Sequence, residues 1–178
     1  MINNYMNSQQ ITKAYADLCL RVQPDFYFVL NYQPHPNRAP QSYEQLSKDI
    51  RKLFYKLECD EWGYGKRELE QRGALKCRIE RAVCIEKASF YHANVMMKRY
   101  GNESDEALLA NVKRTWLDIQ HRSGDWCDDY LFQLHNNDIK SQQAVSVYSN
   151  KDTAKANEHN EDVLCLRASF IRKHSNKR

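Results

Sequence analysis

The feature that most constrains the fold is residues 25–32, an aromatic and apolar run that reads DFYFVLNY. Apolar side chains at nearly every position are typical of a central strand that is buried on both faces. The run is followed by QPHPNRAP, whose three prolines prevent continued strand pairing because proline has no backbone N–H to donate. The sequence therefore predicts a central, buried strand that ends near residue 32.

Three segments around this strand have apolar residues at helical spacing, and they predict amphipathic helices. The first spans 9–22, the second begins at Ser42 and ends before Gly63, and the third spans about 104–121. Ser42 is a candidate N-cap, with Gln45 three residues later as its reciprocal partner. The expected buried positions are Ile11, Tyr15, Leu18 and Val22 in the first helix, Leu46, Ile50, Leu53, Phe54 and Leu57 in the second, and Leu108, Leu109, Val112, Trp116 and Ile119 in the third.

The remaining segments complete an order of α-β-α-ββ-α-β-α-β. This order predicts an α+β fold, in which an antiparallel sheet of about five strands carries packed helices. We expect an N-terminal helical extension over 1–24, one main domain over 25–172 and a basic tail over 173–178. The further elements are strands over 77–87 and 90–100, joined as a β-hairpin near Ala88 and Ser89, strands over 128–136 and 163–172, and helices over 66–74 and 141–155.

The composition is that of an ordinary globular chain, with 178 residues, 42% hydrophobic residues and a net charge of +4. That charge permits local contact with nucleic acid but is too small for a protein that coats DNA. The six cysteines form no C-x-x-C pair, so we expect free thiols in a reducing compartment. No apolar run approaches the ~20 residues that cross a bilayer, and the N-terminus does not resemble a signal peptide. We therefore expect a cytoplasmic protein with no membrane contact.

His92 and Asn94, in YHANV, are the first candidate site residues. Alternate residues of a strand point to the same face, so the imidazole and the amide should project together. Side by side they could hold a divalent ion if further oxygen ligands were near. Glu86, across the predicted hairpin turn, is the nearest acidic candidate. The alternative interpretation is that His92 is a half-buried strand residue that forms a hydrogen bond to a neighbour.

Tyr148 and Lys151, in VYSNKD, are the second pair of candidates. Residues three apart share one face of a helix. A tyrosine hydroxyl is a weak nucleophile because its usual pKa is about 10, and a nearby ammonium group favours the phenolate and can stabilise charge on a phosphate. The alternative interpretation is a surface helix with an amphipathic tyrosine.

The order of these features resembles the three ordered motifs of the HUH endonuclease superfamily, which contains rolling-circle replication initiators and relaxases. An early strand at 26–34 is followed by a histidine on a hairpin strand and then by Tyr-x-x-Lys. The chain is most similar to the replication proteins of filamentous phages (inoviruses) and related prophages, which also carry a helix with a tryptophan, here NVKRTWLDI, and a further Thr-x-Lys, here in YSNKDTAK. The resemblance covers roughly 25–172.

The resemblance implies a ferredoxin- or RRM-like palm and a metal-dependent endonuclease that nicks and joins single-stranded DNA. The expected partners are single-stranded or origin DNA, with a host helicase and polymerase, and the expected cofactor is Mg²⁺ or Mn²⁺. The residues that it assigns are Tyr148 as nucleophile, Lys151 as its electrostatic partner, His92, Asn94 and Glu86 as metal ligands, and Lys98, Arg99 and Lys155 as phosphate contacts.

The chain departs from the family pattern at one position. Most relatives have His or Gln as the second ligand of the hairpin motif, whereas this chain has Asn94, so Glu86 or His135 could carry the metal instead. Two further hypotheses follow. The chain could be a catalytically inactive DNA-binding or regulatory protein of a mobile element with the same fold, or an unrelated α+β domain that mediates protein contacts.

Overall fold

The computed structural model describes residues 8–32, 42–63, 78–87, 90–120, 129–135 and 164–172. Within these ranges the strands form one four-stranded sheet in the order β2-β3-β1-β4, and all neighbours are antiparallel. This confirms the predicted α+β class with an antiparallel sheet. In chain order the elements are α1 (Ser8–Leu20), β1 (Phe26–Asn31), α2 (Tyr43–Trp62), β2 (Arg81–Lys87), β3 (Tyr91–Met97), α3 (Asp105–Gln120) and β4 (Phe132–His135).

β1 is a central strand, as its sequence predicts. It lies between β3 and β4, and Phe28 and Leu30 are completely buried. Successive residues of β1 point to opposite faces, and both faces are covered in the described part of the chain. This explains why the strand is apolar at nearly every position.

The first face of the sheet packs against α2 and α3 and forms the larger core. Ala93, Val95 and Met97 of β3 point to this face, as the alternation of that strand predicts. Trp116 of α3 is completely buried here, and its indole N–H donates to the carbonyl oxygen of Leu131 at 3.1 Å. Most of the predicted buried positions of the two helices are confirmed, namely Leu46, Ile50, Leu53, Phe54, Leu57, Leu108, Val112, Trp116 and Ile119, with Leu109 partly buried.

The start and end of α2 follow from its sequence. Ser42 is the N-cap, and its hydroxyl accepts a hydrogen bond from the backbone N–H of Gln45 at 3.1 Å. The reciprocal half of the predicted capping box is wrong, since the Gln45 amide donates to Asp49 of the next turn. Gly63 ends the helix in the left-handed region, at φ 62°, where a residue without a Cβ is least strained.

The second face of the sheet is covered in part by α1 and the turn that follows it. Cys19 and Val22 are completely buried and pack with apolar residues of β1, β2 and β3. The Sγ atoms of Cys19 and Cys84 are 3.8 Å apart. The helix predicted as an extension over 1–24 therefore contributes to the smaller core, whose other members are Tyr27, Val29, Ala82, Cys84, Met96 and Leu164.

The Cys19–Cys84 contact gives a test of where α1 lies. We expect diamide, which takes up the two electrons and two protons that a pair of thiols releases, to join these two cysteines, because their sulfurs are already 3.8 Å apart. Peptide mapping without reductant should recover the Cys19 and Cys84 peptides as one species. The Cys19→Ser variant should lose that species, and Cys59→Ser, at a half-buried position of α2, should keep it. If Cys19 is joined to Cys59 in place of Cys84, α1 is not packed against β2 as described.

Two predictions about the later strands need correction. The strand predicted over 163–172 is wrong for residues 164–172, which form two isolated bridges, Leu164 with Cys84 and Phe170 with Arg81, on either side of a turn at 166–168. The turn persists because Ala168 accepts a hydrogen bond from the Arg81 guanidinium, and the Ser169 hydroxyl accepts one from the N–H of Val83. The strand predicted over 128–136 is shorter, since residues 129–131 are helical and β4 begins at Phe132.

Several predicted elements lie outside the described residues. They are the helices over 66–74 and 141–155, the hairpin turn at Ala88 and Ser89, and the tail over 173–178. Among the residues that are described, no helix is both long enough and apolar enough to cross a membrane.

Candidate functional site

The strand register places Glu86, His92 and Asn94 on the second face of the sheet. His92 of β3 lies directly opposite Glu86 of β2 and, on its other side, opposite Asn31 of β1. Asn94, two residues further along β3, projects to the same side. The structure therefore places Glu86 close to the two β3 residues, as predicted.

Glu86 and His92 form a half-buried pair. The Nε2 atom of His92 is 3.4 Å from Oε2 of Glu86, and the two side chains are 22% and 10% exposed. This distance is longer than the 2.7–3.2 Å of an ordinary N–H···O hydrogen bond, so the contact is loose. The other carboxylate oxygen, Oε1 of Glu86, is buried and has no hydrogen-bond partner among the described residues. The pair thus offers an imidazole nitrogen and an unpartnered oxygen, which are suitable ligands for a divalent cation.

Asn94 lies beside this pair and is held by Tyr27. The Tyr27 hydroxyl donates to Oδ1 of Asn94 at 2.8 Å, and the Asn94 residue is only 3% exposed. The amide nitrogen, Nδ2, is buried and has no hydrogen-bond partner in the part of the chain that the structure describes. Asn94 therefore brings to the site one oxygen that already accepts a hydrogen bond and one donor group that has no acceptor.

His135, the other candidate ligand, lies on the same face but at the opposite end. It pairs with Tyr27 at the start of β1, and their ring centroids are 4.9 Å apart. His92 pairs with Asn31 at the end of β1. At ~3.3 Å per residue, His135 is thus displaced from the Glu86–His92 pair by roughly 13 Å along the strands. The structure brings together Glu86, His92 and Asn94, and it does not bring His135 to them.

Lys98 and Arg99, predicted as phosphate contacts, follow the end of β3 that is remote from His92. At ~3.3 Å per residue they are on the order of 20 Å from it. The Arg99 guanidinium contacts the carboxylate of Asp105, the first residue of α3, and the carbonyl oxygen of Glu103, two residues before it. Its backbone N–H also donates to Asp25 at 2.7 Å. These contacts give Arg99 a structural role at the beginning of α3.

The predicted nucleophile lies outside the described residues, as do Lys151 and Lys155. The geometry given above is therefore that of the three candidate metal ligands, Glu86, His92 and Asn94. In the described ranges, no group of three or more His, Cys, Asp or Glu residues is arranged to hold a metal ion. A cation at the Glu86–His92 pair would have these two residues as its ligands from the described chain.

Tyr27 is the residue of this site that the sequence did not identify. It belongs to the apolar run 25–32, where an aromatic side chain is expected to be core. The alternation of that run places Tyr27, Val29 and Asn31 on one face, but it does not reveal which neighbouring strand they meet. Only the register with β3 shows that the Tyr27 hydroxyl reaches Asn94.

Comparison of the chain with protein-family models found no match, and comparisons with curated proteins and with solved structures also found none.

Proposed function

We propose that this protein is a cytoplasmic, metal-dependent endonuclease that nicks and rejoins single-stranded DNA and so initiates rolling-circle replication of a phage, prophage or plasmid. The observation that carries the proposal is the Glu86–His92 pair, which lies next to Asn94 on one face of the sheet and has a carboxylate oxygen that no described residue contacts by a hydrogen bond. It supplies the acidic ligand that the motif His-x-Asn lacks.

The pair is compatible with a hard divalent ion. Mg²⁺ and Mn²⁺ accept carboxylate oxygen readily and usually keep several waters, so two protein ligands are sufficient for a site that also binds a phosphate. When bound, such an ion would polarise a phosphate oxygen and offset its negative charge. The DNA strand would approach the second face at His92, whose side chain is 22% exposed.

Tyr148 is the proposed nucleophile. Its hydroxyl would lose a proton and attack phosphorus, the bond from phosphorus to the 3′ oxygen would break, and that oxygen would take up a proton. The products are a 5′-phosphotyrosine link and a free 3′-hydroxyl that can prime synthesis. Lys151 would favour the phenolate through its positive charge.

The proposal includes the fold and the partners. A four-stranded antiparallel sheet with helices on both faces is compatible with a ferredoxin- or RRM-like palm. The partners would be single-stranded or origin DNA with a host helicase and polymerase. Lys98, Arg99 and Lys155 stay predictions as phosphate contacts, and Arg99 would have to leave Asp105 to make one.

The test is formation of a covalent adduct with DNA. A pool of single-stranded oligonucleotides labelled at the 3′ end should give a labelled protein band on a denaturing gel in Mn²⁺ but not in EDTA. Glu86→Gln should reduce the band by about 100-fold, since even residues that merely support metal ligands contribute ~10–100-fold. The matched control is Glu44→Gln, at an exposed position in the first turn of α2.

Three outcomes would contradict this proposal. If Glu86→Gln gives as much adduct as the unaltered protein, the Glu86–His92 pair is not the metal site. If the unaltered protein retards the oligonucleotides without any adduct, the protein is a DNA-binding module, and if it does neither, the protein-contact hypothesis is favoured.

A further inference from the structure

The outer side of α2 carries a row of basic residues. Lys48, Arg51 and Lys52 are exposed and Lys56 is half-buried. They follow one another at spacings of three and four residues, which place side chains on the same side of a helix. At about 1.5 Å of rise per residue, the row from Lys48 to Lys56 is about 12 Å long. We call these four residues the α2 basic stripe.

The positive charge of the stripe is not neutralised by the described part of the chain. None of the ion pairs found there involves a residue of the stripe. Asp49, the acidic residue that lies within the stripe in sequence, is buried and accepts a hydrogen bond from Gln45. The exposed acidic residues of α2 lie in its first and last turns, at Glu44, Asp60 and Glu61. The middle of the helix therefore presents cations alone to the solvent.

The opposite side of α2 argues against a membrane as the partner. An amphipathic helix binds a bilayer by placing its apolar side among the lipids, and electrostatic attraction adds to that burial. In α2 the apolar side already belongs to the larger core, where its five main residues, Leu46, Ile50, Leu53, Phe54 and Leu57, are buried. The stripe is therefore suited to a partner that is recognised by negative charge alone.

The phosphate backbone of a DNA duplex has the required charge and regularity. Each strand of a duplex carries one phosphate per ~3.4 Å of its axis, so a row of about 12 Å faces three or four phosphates. Single strands are instead held largely by aromatic rings on which the bases stack. The aromatic residues in the middle of α2 do not offer such a platform, because Phe54 is buried and Tyr55 is half-buried.

We propose that the α2 basic stripe binds the phosphate backbone of double-stranded DNA without regard to its sequence. Contacts of this kind position a protein on a duplex but do not read the bases. The inference goes beyond the proposed function, because α2 packs on the first face of the sheet and His92 lies on the second. A duplex on the stripe and a single strand at His92 are thus bound on opposite sides of the sheet.

The test is the salt dependence of duplex binding by the full chain. Affinity for a labelled duplex of random sequence is measured by fluorescence anisotropy in EDTA over a range of salt concentrations. The logarithm of the affinity should fall with the logarithm of the salt concentration with a slope of about −3.6 or steeper, since each cation contributes about −0.9. Arg51→Gln with Lys52→Gln should weaken binding by about 10-fold at ~0.1 M salt and make the slope shallower by about 1.8.

The matched control is Lys13→Gln with Arg21→Gln. It also removes one exposed lysine and one exposed arginine, and it lowers the net charge by the same amount. These two residues lie in α1 and in the turn that follows it, and α1 packs on the second face. Since charges more than ~10 Å apart are largely screened at ~0.1 M salt, the control should bind the duplex within about twofold of the unaltered protein.

Three results would overturn the inference. Equal losses in the two double variants would show that only the net charge matters, and an unchanged affinity in the stripe variant would show that the stripe does not contact the duplex. Vesicles that contain phosphatidylserine are the third arm, and we expect no binding to them. If the unaltered protein binds these vesicles but not the duplex, the stripe is a lipid-binding surface.

Failure of this inference and failure of the proposed function are distinguishable. The stripe variant should form the adduct with single-stranded DNA in Mn²⁺ within about twofold of the unaltered level, because the stripe lies on the other side of the sheet from His92. Duplex binding through the stripe without any adduct would leave the inference standing and the nicking function wrong. Both double variants change exposed positions, where substitutions seldom affect stability, and thermal melting checks that they fold.

Discussion

Replacing Tyr148 with Phe is expected to eliminate the covalent adduct with DNA and to leave the affinity for a single-stranded oligonucleotide within about twofold. Phenylalanine has the same ring but no oxygen, so the variant has no atom that can form the phosphotyrosine bond. The loss should be at least ~10³-fold, because removing a nucleophile removes the covalent route altogether. Adduct is measured on a denaturing gel and affinity by filter binding in EDTA.

The control for this prediction is Tyr130→Phe. Tyr130 is 43% exposed in the helical turn before β4, and the described contact there uses its carbonyl oxygen, which the variant retains. Adduct formation should be unchanged. An adduct that persists in Tyr148→Phe would mean that another of the 11 tyrosines is the nucleophile, and peptide mapping of the adduct would identify it.

Replacing Arg81 with Met should lower the free energy of unfolding by about 3 kcal/mol. Arg81 is completely buried, donates to Oε1 of Glu58 at 2.7 Å and to the carbonyl oxygens of Ile79 and Ala168, and its guanidinium lies 4.0 Å from the centre of the Phe54 ring. Burial lowers the pKa of Arg81 to about 10, and the Glu58 carboxylate opposes that decrease, so the cation persists at neutral pH. Removing the Arg81 guanidinium leaves the Glu58 carboxylate buried with fewer partners. Breaking a buried ion pair in this way typically lowers the free energy of unfolding by ~3–5 kcal/mol.

Arg78→Met is the matched control, because Arg78 contacts the same carboxylate at 3.1 Å but its side chain is 39% exposed. Urea denaturation should show a loss below about 1 kcal/mol for this partly exposed pair. The double variant Arg81→Met with Glu58→Leu should be more stable than Arg81→Met alone, since it removes the buried charge as well. Equal losses for the Arg81 and Arg78 variants would show that Arg81 is not the principal partner of Glu58.

Local patterns predicted the elements that are amphipathic or strongly apolar. Apolar residues at helical spacing were sufficient to predict α2 and α3, because a helix that is buried along one stripe has this spacing. The apolar run was sufficient to predict β1, because a strand that is buried on both faces is apolar at nearly every position. The segment 164–172 was predicted wrongly because its partners are distant in sequence. Its turn depends on the buried Arg81, and such a cation has no local signature.

For the candidate site, the sequence could predict only which residues of one strand share a face. The alternation along β3 correctly placed His92 and Asn94 on one face, and in the structure Ala93, Val95 and Met97 point to the other. The positions of Glu86 and Tyr27 relative to them depend on strand register, which is set by contacts between residues far apart in the chain. The orientation of the Asn94 amide depends in turn on Tyr27, so it could not be predicted before the register was known.

The late pairing of residues 164–172 with β2 has a consequence for folding in the cell. Arg81 and Ala168 are 87 positions apart, so the outer edge of the β2–β3 hairpin stays open while the intervening chain is synthesised. An open edge of apolar, β-branched residues is a template for pairing with another nascent chain. We therefore expect this protein to depend on chaperones during synthesis, and slower translation between residues 87 and 164 to increase the insoluble fraction.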